Sequence, residues 1–269
     1  YQRAQNDLGI FAVETVSVGD LFVGAIIPGL LICLFFLIYS IYFNRNLPAN
    51  YDIDTNLTLQ PILRSLVPPM LLIFLVLGSI IAGIATPTEA AAIGAMGAIG
   101  IALFLKKLSI NLIKEVSQRT ALITTMIFAI LIGASIFSLI FRGVGGDALV
   151  DVIFELVPGG KYSALLFVML MIFLLGFILD FIEICYVFIP LLAPPLLMMG
   201  FDPVWLAVLL AINLQTSFLT PPFGFSLFYL RGVADASIKT QYIYQGVVPF
   251  ILMQIAVLLL VILFPVLVL

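Results

Sequence analysis

The chain has 269 residues, of which 64% are hydrophobic and only 9% charged, with a net charge of −3 and a mean hydropathy of +1.30. A soluble domain is roughly 45–50% apolar and about 25% charged, so this composition is that of an integral membrane protein. The absence of His removes His-based metal sites and Ser-His triads, and the charge balance offers no basic face for nucleic acid.

The polar opening, YQRAQNDLGIFAVETVSVGD, begins with Tyr and reads as the middle of a loop, so a C-terminal portion of a longer protein is expected. A helix needs roughly 20 apolar residues to cross a hydrocarbon core of about 30 Å. Leu21–Phe43 meets that length. A polar loop runs from Asn44 to about Leu63, and a second span is expected over Val67–Ala85. The break Thr86-Pro87-Thr88-Glu89 has the form of a helix start: Thr86 as N-cap, Pro87 in the first position, Glu89 closing a capping box. Ala90–Leu105 follows, with Ala90, Gly94 and Ala98 at spacing four and Gly97 beside them, a face that admits a neighbouring backbone.

Residues 106–119 set Leu108, Leu112 and Ile113 against Lys106, Lys107, Lys114 and Arg119, which predicts a short amphipathic helix in the membrane interface. A span over Thr120–Phe141 comes next, then a Gly-rich acidic stretch at 142–161 that includes a surface helix, DALVDVIFEL. Tyr162–Gly200 is apolar but for Asp180 and Glu183 near its middle, and is read as a re-entrant hairpin with its tip at Gly176–Glu183. Val204–Arg231 is interrupted by Gln215–Pro222, and a last span lies near Gly246–Leu267. Placing the 44–65, 106–119 and 231–244 segments on one side gathers eight of the eleven Lys and Arg residues there, which makes that side cytoplasmic. Cys33 and Cys185 sit in apolar runs and read as small buried hydrophobes.

Two constellations carry chemistry. Pro221 and Pro222 remove backbone donors inside an apolar helix, and the carbonyls they free must be satisfied by protein, water or an ion. Asn213, Gln215, Thr216, Ser217 and Thr220 surround that break with amides and hydroxyls. A broken helix offers carbonyls to a cation at one half-end and N–H groups to an anion at the other. Asp180 and Glu183 are intramembrane carboxylates, expensive to insert and so candidates for an ion or substrate pathway; the alternative is that they cap a helix start. Pro68-Pro69 and Pro194-Pro195 are expected to be helix-start or bend features.

The segments TPTEAAAIGA at 86–95, GFILD at 176–180, NLQTSFLTPPFGFSLFYLRG at 213–232 and VSVGDLFVGAIIPGLL at 16–31 together resemble the large membrane subunit of tripartite ATP-independent periplasmic (TRAP) transporters. QTSFLTPPFGF is similar to the branch labelled mannitol/chloroaromatic-type. The resemblance implies an all-α polytopic elevator-type transporter of the bacterial inner membrane. It implies sodium-coupled uptake of a carboxylate-bearing solute delivered by a periplasmic solute-binding protein, with a small membrane subunit as partner and no enzymatic activity. It places the second inverted repeat's hairpin on 162–200 and its broken helix on 204–231; residues 1–120 become scaffold helices with an amphipathic arm, and 121–269 the transport region. The first repeat's hairpin and Pro-Pro-Ser break are absent.

On that basis Gly176, Asp180, Thr216, Thr220 and Pro221 are expected to bind sodium, and Asn213, Gln215, Ser217, Thr220 and Glu183 to meet the solute, with Pro222, Thr86, Pro87 and Glu89 structural. The competing classes are an intramembrane enzyme using Asp180 and Glu183 as an acid/base pair, and an assembly subunit with no solute path.

Overall fold

The computed structural model describes residues 2–7, 9, 15–45, 59–221, 224–235 and 237–269, all helix, turn or irregular chain. In order, the helices are α1 (Gln2–Asp7), α2 (Val18–Arg45), α3 (Leu59–Ile81), α4 (Pro87–Phe104), α5 (Ile110–Gly143), α6 (Gly146–Leu156), α7 (Lys161–Leu175), α8 (Phe181–Glu183), α9 (Ile189–Met198), α10 (Pro203–Leu219), α11 (Phe225–Val233) and α12 (Thr240–Leu263). A π-helical turn, Ile184–Phe188, joins α8 to α9, and a 3₁₀ turn, Pro265–Leu267, follows α12. Among the described residues, five stretches are long and apolar enough to cross a membrane: Val18–Phe43, Pro87–Phe104, Ile110–Gly143, Phe181–Met198 and Thr240–Leu263.

The chain forms two compact units. One holds residues 17–23 and 38–124, the other residues 1–16, 24–37 and 125–269. In the first, α3 packs on α4. Ala90 is fully buried, and a Cβ placed on Gly97 would run into the Leu72 side chain, so this glycine is what lets the two helices close. Gly94 lies against Val76 in the same way, whereas Ala98 is exposed. The expected face of small residues therefore turns through Gly97, three residues from Gly94, and Ala98 lies outside it. Pro68 and Pro69 sit inside α3 rather than at its start.

The start of α4 is the capping box read from TPTE. Thr86 N–H donates to Glu89 Oε2 at 2.8 Å, the Thr86 hydroxyl donates to the same oxygen at 2.8 Å, and Glu89 N–H donates back to Thr86 Oγ1 at 3.4 Å. These bonds use donors that a helix start would otherwise leave unpaired.

The separate amphipathic helix expected at 106–119 is not formed. The chain turns at Lys106–Ser109 and then runs as one helix of 34 residues from Ile110 to Gly143. Neither Gly nor Pro interrupts Ile110–Ile132, and Glu115 pairs with Arg119 one turn on at 2.8 Å, so a change in polarity along this stretch carries no break in backbone. The surface helix expected at DALVDVIFEL is present as α6, with Val150 and Phe154 buried.

The second unit has the larger core. Leu165, Val168 and Ile172 of α7, Leu206 and Leu209 of α10, and Val257 and Val261 of α12 are almost wholly buried within it. α6 and α7 meet at 117° across Gly159 and Gly160, whose φ angles of +104° and +78° suit glycine alone. α7 and the α8–α9 arm form a helical hairpin closed at residues 176–180. The π turn in the second arm precedes Pro190, which cannot donate to Tyr186 O and crowds that carbonyl; Ile189 N–H reaches back to Ile184 O instead. The broken span is α10 followed by α11. Trp205 Nε1 donates to Val261 O at 2.9 Å, and this bond fixes α10 against α12.

Replacing Thr86 with Ala is expected to destabilise the start of α4 by about 1 kcal/mol. Faster amide exchange confined to residues 87–90 would show it; a Thr86→Ser variant should behave as the parent.

Candidate functional site

The hairpin tip and the helix break are neighbours. Gly176 is buried, and a Cβ built on it would lie 2.6 Å from Ser217 Cβ, so the Gly176 backbone lies directly against the Ser217 side chain, with no room for a side chain of its own. Beside this contact is a small cavity of about 10 Å³, lined by Gly176, Leu179, Phe181, Ile184, Leu214, Ser217 and Phe218. That is room for one water-sized occupant. Phe181 and Phe218 meet edge to face above it, with ring centroids 6.3 Å apart.

Asp180 caps the second arm: its Oδ1 accepts from Phe181 N–H at 2.8 Å, and its backbone is extended. The capping role and half-buried placement coexist, because a carboxylate has lone pairs beyond the one such a bond uses. Glu183 follows one turn on, half-buried.

On α10, Asn213, Thr216, Ser217 and Thr220 share a face through the spacing i, i+3, i+4, i+7. Asn213 is buried, and its Nδ2 donates to Met169 O of α7 at 2.8 Å, a cross-helix bond that registers the hairpin on α10. The three hydroxyls turn inward on their own helix. Thr216 Oγ1 donates to Ile212 O at 2.7 Å, Ser217 Oγ to Leu214 O at 2.9 Å and Thr220 Oγ1 to Thr216 O at 2.7 Å. Each hydroxyl proton is thus used, and each oxygen has only lone pairs to offer. That suits a cation. A solute carboxylate would need a donor, so Ser217 and Thr220 do not present one in this conformation, and Asn213 has its amide engaged with the hairpin. Gln215 is exposed on the opposite face, apart from the residues with which it was grouped.

The break itself follows from Pro221 and Pro222, which cannot donate to Ser217 O and Phe218 O. Thr220 compensates: its N–H bonds Ser217 O at 3.0 Å in a tightened turn, and its hydroxyl takes Thr216 O. Pro222 lies outside the described residues. Gly224 opens α11 against the end of α10, where a Cβ would stand 2.9 Å from Phe218 O and 3.1 Å from Thr220 O. Because those are backbone atoms, no side chain is accommodated.

Sequence reasoning missed the apolar half of this site. Leu179, Ile184, Leu214, Phe181 and Phe218 are anonymous in so apolar a chain, and only their spacing from Gly176 and Ser217 could have singled them out. It also missed Gln254 on α12, 2% exposed, whose Oε1 has no hydrogen-bond partner among the described residues. A lone Gln inside an apolar span was the available signal. No group of three His, Cys, Asp or Glu able to hold a metal is found among the described residues.

The family model "Tripartite ATP-independent periplasmic transporter, DctM component" matches residues 8–267. The isethionate TRAP transporter permease protein DctMQ of Oleidesulfovibrio alaskensis is 30% identical over 94% of this chain and 40% of its own length. The sialic acid large permease SiaM of Vibrio cholerae is 28% identical, covering 94% of this chain and 59% of its own length. The C4-dicarboxylate large permease DctM of Rhodobacter capsulatus is 28% identical, over 93% and 57%. The chain thus spans between two fifths and three fifths of these relatives. With the family match running almost end to end and the apolar helices to accompany it, the chain belongs to the DctM-component family of tripartite ATP-independent periplasmic transporters, multi-pass proteins of the bacterial inner membrane.

Proposed function

We propose that this chain supplies the second-repeat half of a permease that takes up a carboxylate-bearing solute by coupling to sodium. The solute is delivered by a periplasmic binding protein, and a small membrane subunit completes the complex. The observation that carries this reading is the contact of Gly176 with Ser217, which brings the hairpin tip to the end of α10; beside it is a space for one small occupant, lined by Gly176 of the proposed sodium group and otherwise by Ser217 and apolar residues. Relatives named for sialic acid and for C4-dicarboxylates, both carboxylates, support the solute class. The mannitol/chloroaromatic-type spelling of 215–225 is our choice of branch.

Sodium is assigned to the hairpin–break junction for electrostatic reasons. The C-terminal end of α10 is the negative end of a helix dipole, the nearby hydroxyls offer lone pairs, and Asp180 adds a carboxylate. Gly176, Asp180, Thr216, Thr220 and Pro221 are the proposed sodium group. The anionic solute is assigned to the N-terminal side of the break, at α11, with the Gln215 amide as the donor still open to it; Glu183, an acceptor only, would meet a hydroxyl or amine of the solute and not its carboxylate. Ser217, Thr220 and Asn213 would join only after their present hydrogen bonds rearrange.

A re-entrant placement of the hairpin has physical support. Lys161 Nζ lies 5.5 Å from the Tyr162 ring and 5.2 Å from the Phe201 ring, and Phe201 stacks on Trp205 at 5.5 Å. Phe201 and Trp205 belong to the protein core, whereas Lys161 and Tyr162 are exposed, and a Lys–Tyr pair at the start of a helix suits a membrane–water boundary. From there α7 extends 15 residues, about 22 Å, short of a hydrocarbon core of roughly 30 Å. On the length of this arm the tip ends inside the bilayer, whereas the return arm, Phe181–Met198, is by itself long enough to cross. In an elevator motion residues 121–269 carry the site, and the helices before them serve as scaffold.

The test is uptake by the full-length permease with its small subunit and binding protein in proteoliposomes. Asp180→Ala and Thr220→Val are expected to cut sodium-dependent uptake by about tenfold or more, the scale of a charge-assisted contact worth roughly 1.5–3 kcal/mol. Unchanged uptake with unchanged sodium dependence in both would remove the assignment. Gly176→Ala is expected to abolish uptake, and Ser217→Gly in the same chain to restore part of it; equal loss in the single and double variants would show that the contact is not what matters.

A further inference from the structure

We propose that the groove between α3 and α4 is a binding site for an acyl chain of an anionic phospholipid, whose phosphate is held by Lys106 and Lys107. The groove has a volume of about 490 Å³ and is flanked by Leu71 and Leu75 of α3 and by Gly97, Gly100 and Phe104 of α4. Its lining is almost entirely apolar. A cavity of ~150 Å³ holds a benzene-sized ligand, so this groove has room for about three such volumes, the bulk of a long hydrocarbon chain. It exists because glycine leaves α4 bare on this face. A Cβ on Gly100 would meet nothing within 4 Å, and Leu71 and Phe104 stand beside the opening, 61% and 81% exposed, without filling it. Hydrocarbon laid in such a groove gains dispersion contacts along its apolar walls.

The charge at one end selects the lipid. Leu105 closes the groove, and the chain passes directly into Lys106 and Lys107, both exposed. The turn there is a Schellman closure: Lys106 N–H bonds Leu103 O and Lys107 N–H bonds Ala102 O, each at 2.9 Å. Its left-handed position, normally glycine, is occupied by Lys106 with φ +55°, the one positive-φ residue other than glycine among those described. The turn sets Lys106 and Lys107 side by side immediately after Leu105, the last residue lining the groove. Charge counting puts this segment on the cytoplasmic side, where lysines meet lipid phosphates.

The test uses the full-length permease with its small subunit, probed with dioleoyl phosphatidylglycerol and dioleoyl phosphatidylcholine by native mass spectrometry and by thermal melting. The parent is expected to retain phosphatidylglycerol in preference by about tenfold or more, as two lysines near an anionic headgroup provide, and to melt higher in its presence. Lys106→Gly with Lys107→Gln should keep lipid but lose the preference. Lys106→Gly alone should melt higher than the parent without lipid, since strain is relieved. Gly100→Phe should fill the groove and lose both lipids while its lipid-free melting stays that of the parent. Equal retention of the two lipids by the parent, or unchanged retention by Gly100→Phe, would overturn the proposal. So would efficient cross-linking of Gly100→Cys to the small subunit or to another helix of the permease, which would put protein in the groove.

Discussion

Inside hydrocarbon a backbone cannot simply stop being helical, because every N–H and C=O released must find another partner. Among the described residues of the second unit, the helix is interrupted at residues 176–180 and again after Leu219, and neighbouring groups satisfy the backbone at both places. Asp180 takes an N–H at the start of one arm, Thr220 replaces two helical bonds at the end of another, and Asn213 ties the hairpin to α10. The two glycines at the junction are there for the same reason: Gly176 lets Ser217 in, and Gly224 lets α11 begin on the carbonyl end of α10.

The hydroxyl geometry sets the chemistry more narrowly than residue type does. Thr, Ser and Asn near a helix break serve anion and cation equally well in a sequence. Once their donors are engaged by Ile212 O, Leu214 O, Thr216 O and Met169 O, the face they share is a set of acceptors at the negative end of a helix. That set of acceptors is the ground for proposing a cation there and not the solute. The same bonds make an immediate solute role for these side chains costly, since each would have to give up a buried partner.

Much of this organisation was legible in the sequence because proline, glycine and carboxylates are rare, conspicuous marks in an apolar chain. TPTE announced the capping box, paired prolines announced the break after Thr220, and Asp180 announced the turn. What stayed hidden depends on packing between helices. Nothing in the Asn213–Thr220 run says that Gln215 faces away while Asn213 faces α7, because the helical phase relative to a neighbour is fixed only by tertiary contact. The polarity change at 106–119 was likewise read as a break in the backbone, whereas α5 continues through it. Gly97 and Ala98 are equally small, and only the position of Leu72 makes the former the contact.

Phe181 and Phe218 flank the small cavity between tip and break, so a cysteine at each position reports directly on that junction. The decisive measurement is the rate at which a Phe181→Cys/Phe218→Cys pair in the full-length permease is joined by a short bifunctional thiol reagent, in sodium and in potassium. A bound sodium ion holding the two interrupted helices together requires rapid joining in sodium and a marked slowing in potassium. Joining at the same rate in both, or in neither, would contradict it.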